Sequence, residues 1–301
     1  RHVPGDADDR GGRLGHGGLD PPEGAEARRP VGHDPEPRVP AGGVRRGHLV
    51  GRDWCGRIVV VDIGFPSIEN DWPMLVDDRW AHDTLPPFHS AMHKGDRGKV
   101  LVVGGDEGMA GAAIHAARAA LVAGAGMVKL AASDATLQAA NETLPDALTV
   151  RTTLGSSEDL ELADAVAWAD AVVVGPGLGR SKERGMLVRG LLKTAKPAVI
   201  DADALHAGAD SWGTKDGLRV LTPPPGEFAA AFPHLADLSR EDRFAAAERA
   251  AVESGATVLL KGVPSVVARV GQPSRTIAAG NPGLATGGSG DILAGVCGAM
   301  L

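Results

Sequence analysis

From Lys94 onward, short apolar runs alternate with longer alanine-rich stretches. KVLVVGG is followed by AGAAIHAARAALVAG, GMVKLAA by SSEDLELADAVAWA and DAVVVG by ERGMLVRGLLK, and PAVIDADA comes next. Apolar runs without polar alternation, such as Ala171 to Val174, predict central strands buried on both faces, and the stretches between them predict crossover helices. The pattern is that of βαβ units, so it predicts an α/β fold with a mostly parallel sheet covered by helices on both faces. Further on, Val258 to Leu260 and Pro264 to Arg269 lie close together with SRTIAAG behind them, which predicts an antiparallel edge to the same sheet.

Ahead of this region the texture differs. Residues 1–56 are crowded with Gly, Pro, Arg and Asp, carry almost no large apolar residues and show neither a strand nor a helix period. Such a segment cannot bury enough surface to offset its ordering entropy, so it is expected to be a low-complexity, disordered leader or an out-of-register translation. Ile58 to Ile63 is a short run of the buried-strand type, and DWPMLVDDRWAHDTLPPFHSAMHKGD reads as a Pro-broken linker. The expected division is therefore 1–56, 57–92 and a catalytic-sized domain over 93–301.

Composition narrows the partners. The 301 residues carry a net charge of −7, which offers no general attraction to nucleic acid or an anionic membrane. An anionic ligand would have to be held by local devices. Cys55 and Cys297 are the two cysteines, too few for a disulfide framework or a zinc cluster, and this favours a reducing cytoplasm. No signal peptide is recognised, and no apolar run approaches the ~18 residues of a membrane span.

Those local devices fall at strand ends, where open α/β sheets bind ligands. KVLVVGGDEGMAGAA, VVVGPGLGRS, VIDADALHAG, LTPPPGEF and LLKG each place small residues or carboxylates there. The strongest cluster is ATGGSGD, in which Gly287, Gly288, Ser289 and Gly290 precede Asp291 at the start of an apolar helix. Amides in such a loop can converge on a phosphate. Asp291 is either the cap of that helix or a general base facing a bound hydroxyl. Lys261 leaves a strand end and could neutralise a phosphate or be merely solvated. Asp201 and Asp203 suit contacts to magnesium or a hydroxyl, or hydrogen bonds to neighbouring loops. Glu227 complements a helix dipole unless it faces the pocket. His93 and Lys94 cover a strand end, and His115, His206 and His234 lack metal-ligand spacing and are taken as structural. Neither a Walker A motif nor a clean dinucleotide fingerprint is present.

Taken in order and spacing, HKGDRGKVLVVGGDEGMAGAA, VVVGPGLG, VIDADAL, LTPPPGEF, LLKG and NPGLATGGSGDILAG resemble the ADP-dependent NAD(P)H-hydrate dehydratases of the ribokinase-like superfamily, over roughly residues 93–301. GRIVVVDIGFPS resembles the end of the epimerase domain that precedes this domain in bifunctional repair enzymes. The resemblance implies a ribokinase-like three-layer α/β/α fold. It also implies a carbon-oxygen lyase that returns hydrated NADH or NADPH to the reduced cofactor. ADP would be the phosphoryl donor, with Mg2+ expected but no protein metal ligand assigned.

In that picture Asp291 activates the substrate hydroxyl, and the amides of Gly287 to Gly290 hold the transferring phosphate. Lys261, Gly262, Val263, Pro264 and Ser265, with Gly290, contact the adenine nucleotide. Ala112, Gly177 or Gly179, Pro224 and Asp291 line the hydrate site. A cytoplasmic homo-oligomer that binds the hydrate and an adenine nucleotide is expected.

Three departures from the family pattern bear on these expectations. Pro224 stands where the family has histidine, and it cannot donate a side-chain hydrogen bond to the substrate. The chain ends ten residues after Asp291, so the domain is expected to be C-terminally incomplete. Little of an epimerase domain precedes it, and no epimerase activity is expected. Two alternatives stand beside the dehydratase: a ribokinase-like kinase of a small alcohol such as a thiamin precursor, and an inactive, truncated homologue.

Overall fold

The apolar runs assemble into one sheet. A computed structural model describes residues 73–301, except 88, 157–158, 208–211, 213–216 and 278. The readings on residues 1–56 and on Ile58 to Ile63 lie outside the described residues. Within them the strands are β1 (Met74–Val76), β2 (Lys99–Val103), β3 (Met127–Ala132), β4 (Leu148–Arg151), β5 (Ala171–Val174), β6 (Ala198–Ile200), β7 (Arg219–Leu221), β8 (Thr257–Leu260), β9 (Ser265–Arg269) and β10 (Gln272–Ile277). The helices are α1 (Asp78–Thr84), α2 (Ala110–Ala123), α3 (Asp134–Thr143), α4 (Leu160–Trp168), α5 (Lys182–Leu192), α6 (Pro225–Ala231), α7 (Ala236–Glu241), α8 (Arg243–Ser254) and α9 (Ser289–Met300).

The strand order is β1-β10-β9-β8-β7-β6-β5-β2-β3-β4. Strands β2 to β8 run parallel, and β9 is antiparallel to both β8 and β10. The expected mostly parallel sheet forms, and its antiparallel strand β9 lies inside the edge, covered by β10 and by β1, which pairs in parallel.

Alternate residues of each buried run point to opposite layers. Val100, Val102, Val173 and Val199 pack with Ala113, Ala116, Leu137 and Ala294, which places α2, α3 and α9 on one face. Leu101, Val103, Val172, Val174 and Ile200 pack with Leu162, Leu187, Phe228 and Phe244 from α4, α5, α6 and α8 on the other. Burying each such Val or Leu contributes about 1.5–3 kcal/mol, so a strand with apolar residues on both faces is stable only between two helical layers. The three-layer α/β/α architecture follows.

Helix ends are set locally. Asp242 caps α8 by accepting from the amides of Phe244 and Ala245, both at 3.0 Å, and Gly255 ends it in the left-handed conformation. Helix α9 lies so close to α2 that a Cβ on Gly295 would sit 2.1 Å from the Ala116 carbonyl oxygen. Cys297, on the same helix, has its thiol pushed up to about 11 by burial. Among the described residues, no helix is long and apolar enough to cross a membrane.

One segment differs from its reading as a linker. Met74–Val76 pairs in parallel with β10, with Met74 opposite Arg275, and the helix after it is capped by Asp77, which accepts from the Trp80 amide at 2.7 Å. The Arg275 guanidinium lies 5.5 Å from the Trp80 ring centroid and ties that helix to β10. A three-residue strand is too short to show a period, so only its pairing reveals it. The sheet thus takes in residues ahead of 93.

Candidate active site

The chain order reverses between β2 and β5, adjacent strands whose connections run to opposite sides, and a ligand crevice is expected beyond their carboxyl ends. The loops leaving them interlock. The Gly105 amide donates to the Pro176 carbonyl at 3.0 Å and the Asp106 amide to the Gly177 carbonyl at 2.7 Å. A Cβ on Gly177, whose φ is +60°, would meet the Met109 carbonyl at 2.6 Å and the Ala112 Cβ at 3.2 Å. Glycine is therefore needed there both for its backbone conformation and for the close approach. Ala112 and Gly177, expected in one subsite, are in fact neighbours. Gly179 lies beside them, its amide donating to Asp203 Oδ2 at 2.9 Å.

The next strand ends contribute charge. Asp201, just past β6 and 1% exposed, accepts at one oxygen from Thr222 Oγ1 (2.7 Å) and from Lys261 Nζ (2.9 Å). Asp203 holds Arg180 Nε at 2.7 Å as well as the Gly179 amide. For both aspartates, hydrogen bonding to neighbouring loops is the arrangement found. Lys261 does turn into the crevice. Its ammonium lies 3.2 Å from where a Cβ on Gly290 would be, and its amide donates to the Pro223 carbonyl at 2.9 Å. The KG loop, the PPPGE loop and the GGSGD loop thus meet, although they are distant in sequence.

Helix α9 begins at Ser289, and its N-cap is Gly288 with φ 87° and no side-chain cap. Asp291, half-buried in the first turn, is not that cap. The helix's own bonding starts with the Ile292 amide on the Gly288 carbonyl, and the Ser289 amide turns back to Thr286 O at 3.4 Å. Gly290 and Asp291 then carry the first-turn amides directed out of the helix, while Gly287 is exposed ahead of it. Burial pushes the Asp291 carboxyl above its ordinary value, and Asp201 adds to this. His115 and Lys261 oppose it. A carboxyl raised in this way suits a general base.

Pro224, with extended backbone, is the N-cap of α6 and contributes no side-chain hydrogen bond. Val263 is exposed at the tip of the KG loop, and Ser265 Oγ donates to the Gly262 carbonyl at 2.9 Å. Two residues gain importance from the structure. Glu227 has Oε2 buried without a hydrogen-bond partner among the described residues, and its carboxyl is raised, first by burial and then by Asp201, with Lys261 and Arg180 opposing. His115, read as structural, lies on α2 with its ring 3.3 Å from where a Cβ on Gly288 would be. Its spacing of three from Ala112 puts the two on one helix face, the signal that could have found it.

Fold and site together define an α/β protein of ribokinase-like fold in which Lys261, Asp201 and the start of α9 meet beyond the strand ends. A ribokinase-like superfamily protein from Enterococcus faecalis shares the fold, with TM-score 0.67 and 24% identity over 75% of this chain and 78% of that one. The chain belongs to the NAD(P)H-hydrate dehydratase family, whose model matches residues 100–301. The bifunctional NAD(P)H-hydrate repair enzyme Nnr of Vibrio cholerae is 34% identical over 265 residues, covering 86% of this chain and 52% of the relative. That of Escherichia coli is 36% identical over 217 residues, covering 72% and 41%. The chain therefore spans about half the length of these relatives. The ADP/ATP-dependent NAD(P)H-hydrate dehydratase of Bacillus subtilis, crystallised with ATP and Mg2+, superposes with TM-score 0.68 at 26% identity over 78% of this chain and 82% of that one.

Proposed function

We propose that this chain uses an adenine nucleotide, with ADP as donor, to dehydrate hydrated NADH or NADPH and so restore the reduced cofactor. The observation that carries this reading is Asp291, half-buried with no capping role, with Lys261 and His115 acting on it and at the start of a helix whose first amides point outward. The Asp291 carboxylate would take the proton of the added hydroxyl as its oxygen attacks the terminal phosphoryl group of ADP, whose bond to the bridging oxygen breaks to release AMP. The Gly290 and Asp291 amides and the Lys261 ammonium would hold the charge that develops on that group. The C–O bond then breaks with phosphate as leaving group, a proton is lost from the adjacent ring carbon, and the double bond returns.

Among the described residues no three His, Cys, Asp or Glu side chains come together as a metal cage. The donor set instead fits an ion carried largely by the nucleotide phosphates, as Mg2+ usually is. Glu227, with its unpartnered oxygen, is the residue that would hold Mg2+, which when bound supplies charge neutralisation between the phosphates. Ala112, Gly177 and Gly179 would line the hydrate site, with Pro224 giving it one hydrogen bond fewer than a histidine would. A cytoplasmic homo-oligomer that binds neither nucleic acid nor membrane completes the reading.

The test is incubation of the purified chain with hydrated NADH and either ADP or ATP, following recovery of the reduced-nicotinamide absorbance. Recovery is expected, and Asp291→Asn should slow it about a thousandfold, the typical contribution of a positioned base. No recovery with either nucleotide, or an undiminished Asp291→Asn rate, refutes the assignment.

A further inference from the structure

Arg243, the first residue of α8, is half-buried and directs its guanidinium at a loop about twenty residues further along the chain. Nε donates to the Pro264 carbonyl at 3.2 Å, and Nη2 donates to the Lys261 carbonyl at 2.8 Å and the Leu260 carbonyl at 3.4 Å. One planar group thus spans the loop from its first peptide to nearly its last, a task that suits the rigid fork of arginine and not the point charge of lysine. The guanidinium also fills the space beneath Gly262. A Cβ there, at φ 145°, would lie 2.5 Å from Nη2 and 3.0 Å from Cζ.

Three carbonyls of the loop are therefore turned toward α8, and the opposite face, where Val263 is exposed, is the one left for a ligand. The main chain of Lys261 is held from outside by Arg243, while its ammonium reaches inward to Asp201 and the Gly290 end of α9. Burial lowers the Arg243 pKa, so the group bears a desolvation cost in order to make these contacts.

We infer that Arg243 is a positioning residue for adenine-nucleotide binding: by locking the carbonyls of Leu260, Lys261 and Pro264 it fixes the shape of the nucleotide loop and the starting point of the Lys261 side chain. The inference rests on the reading of Lys261 to Ser265 as that loop. ADP binding to the full chain, measured by titration calorimetry, tests it without requiring turnover. Arg243→Met should raise the Kd for ADP about tenfold or more, because a loop displaced by an ångström or so loses its fit. Arg243→Lys, which can serve one carbonyl, should fall between Met and the parent, and the KM for the hydrate should stay within twofold in both.

A cooperatively folding Arg243→Met protein that binds ADP within twofold of the parent overturns the inference. If Arg243→Met does not fold, Arg243→Lys decides by the same criterion. A parent chain that binds neither ADP nor ATP overturns the nucleotide reading itself, and the inference falls with it.

Discussion

Replacing Asp201 with alanine tests the polar centre of the site in one step. Asp201 and Thr222 are essentially inaccessible, at 1% and 0% exposure, and the Asp201 carboxylate oxygen is the acceptor for the Thr222 hydroxyl and the Lys261 ammonium. Alanine leaves the buried hydroxyl without its acceptor, a loss of about 1–3 kcal/mol. It also strands Lys261, whose side chain is 19% exposed and so keeps some water, which lowers the loss there to about 1–2 kcal/mol. The sum is about 2–5 kcal/mol, against about 1 kcal/mol for Thr222→Val, which leaves the ion pair intact. Urea unfolding at constant m-value measures both. In a melt the Asp201→Ala loss corresponds to a fall of roughly 4–20 °C for a domain of this size. A loss below about 1 kcal/mol for Asp201→Ala would refute the view that this carboxylate anchors the site.

The same network sets the pH dependence of turnover. Burial and Asp201 raise the Asp291 carboxyl while Lys261 lowers it, and a base must be ionised to act. The acid limb of kcat/KM should thus lie above the ordinary carboxylate range. Lys261→Met removes an opposing cation and should move the limb to still higher pH, and a pH profile that moves the other way contradicts the assignment. Pro224→His should lower the KM for the hydrate about fivefold by restoring one hydrogen bond, with the nucleotide KM unchanged. Equal hydrate KM values in steady-state kinetics would remove Pro224 from that subsite.

Layering was legible in the chain because burial on both faces demands uninterrupted apolar runs, and those of β2 and β5 stand out as VLVV and AVVV. The five small-residue clusters were legible for a similar local reason, since sharp turns and close backbone approaches leave their mark on composition. Asp291 as a candidate base followed from the glycines before it. Its freedom from the capping role did not, because that depends on the backbone of Gly288. Glu227 and His115 were visible as residues but not as neighbours of the crevice. Met74–Val76 was invisible as a strand until it paired with β10.

The sequence by itself determined which stretches are buried strands, where the chain turns tightly and which residue types are available for phosphate chemistry, since each depends on near neighbours along the chain. Tertiary structure alone decided that Lys261 meets Asp201, sixty residues away, and that Arg243 grips the loop ahead of Ser265. Those contacts arise from strand order and helix packing, which bring together positions whose separation in the chain carries no periodic signal.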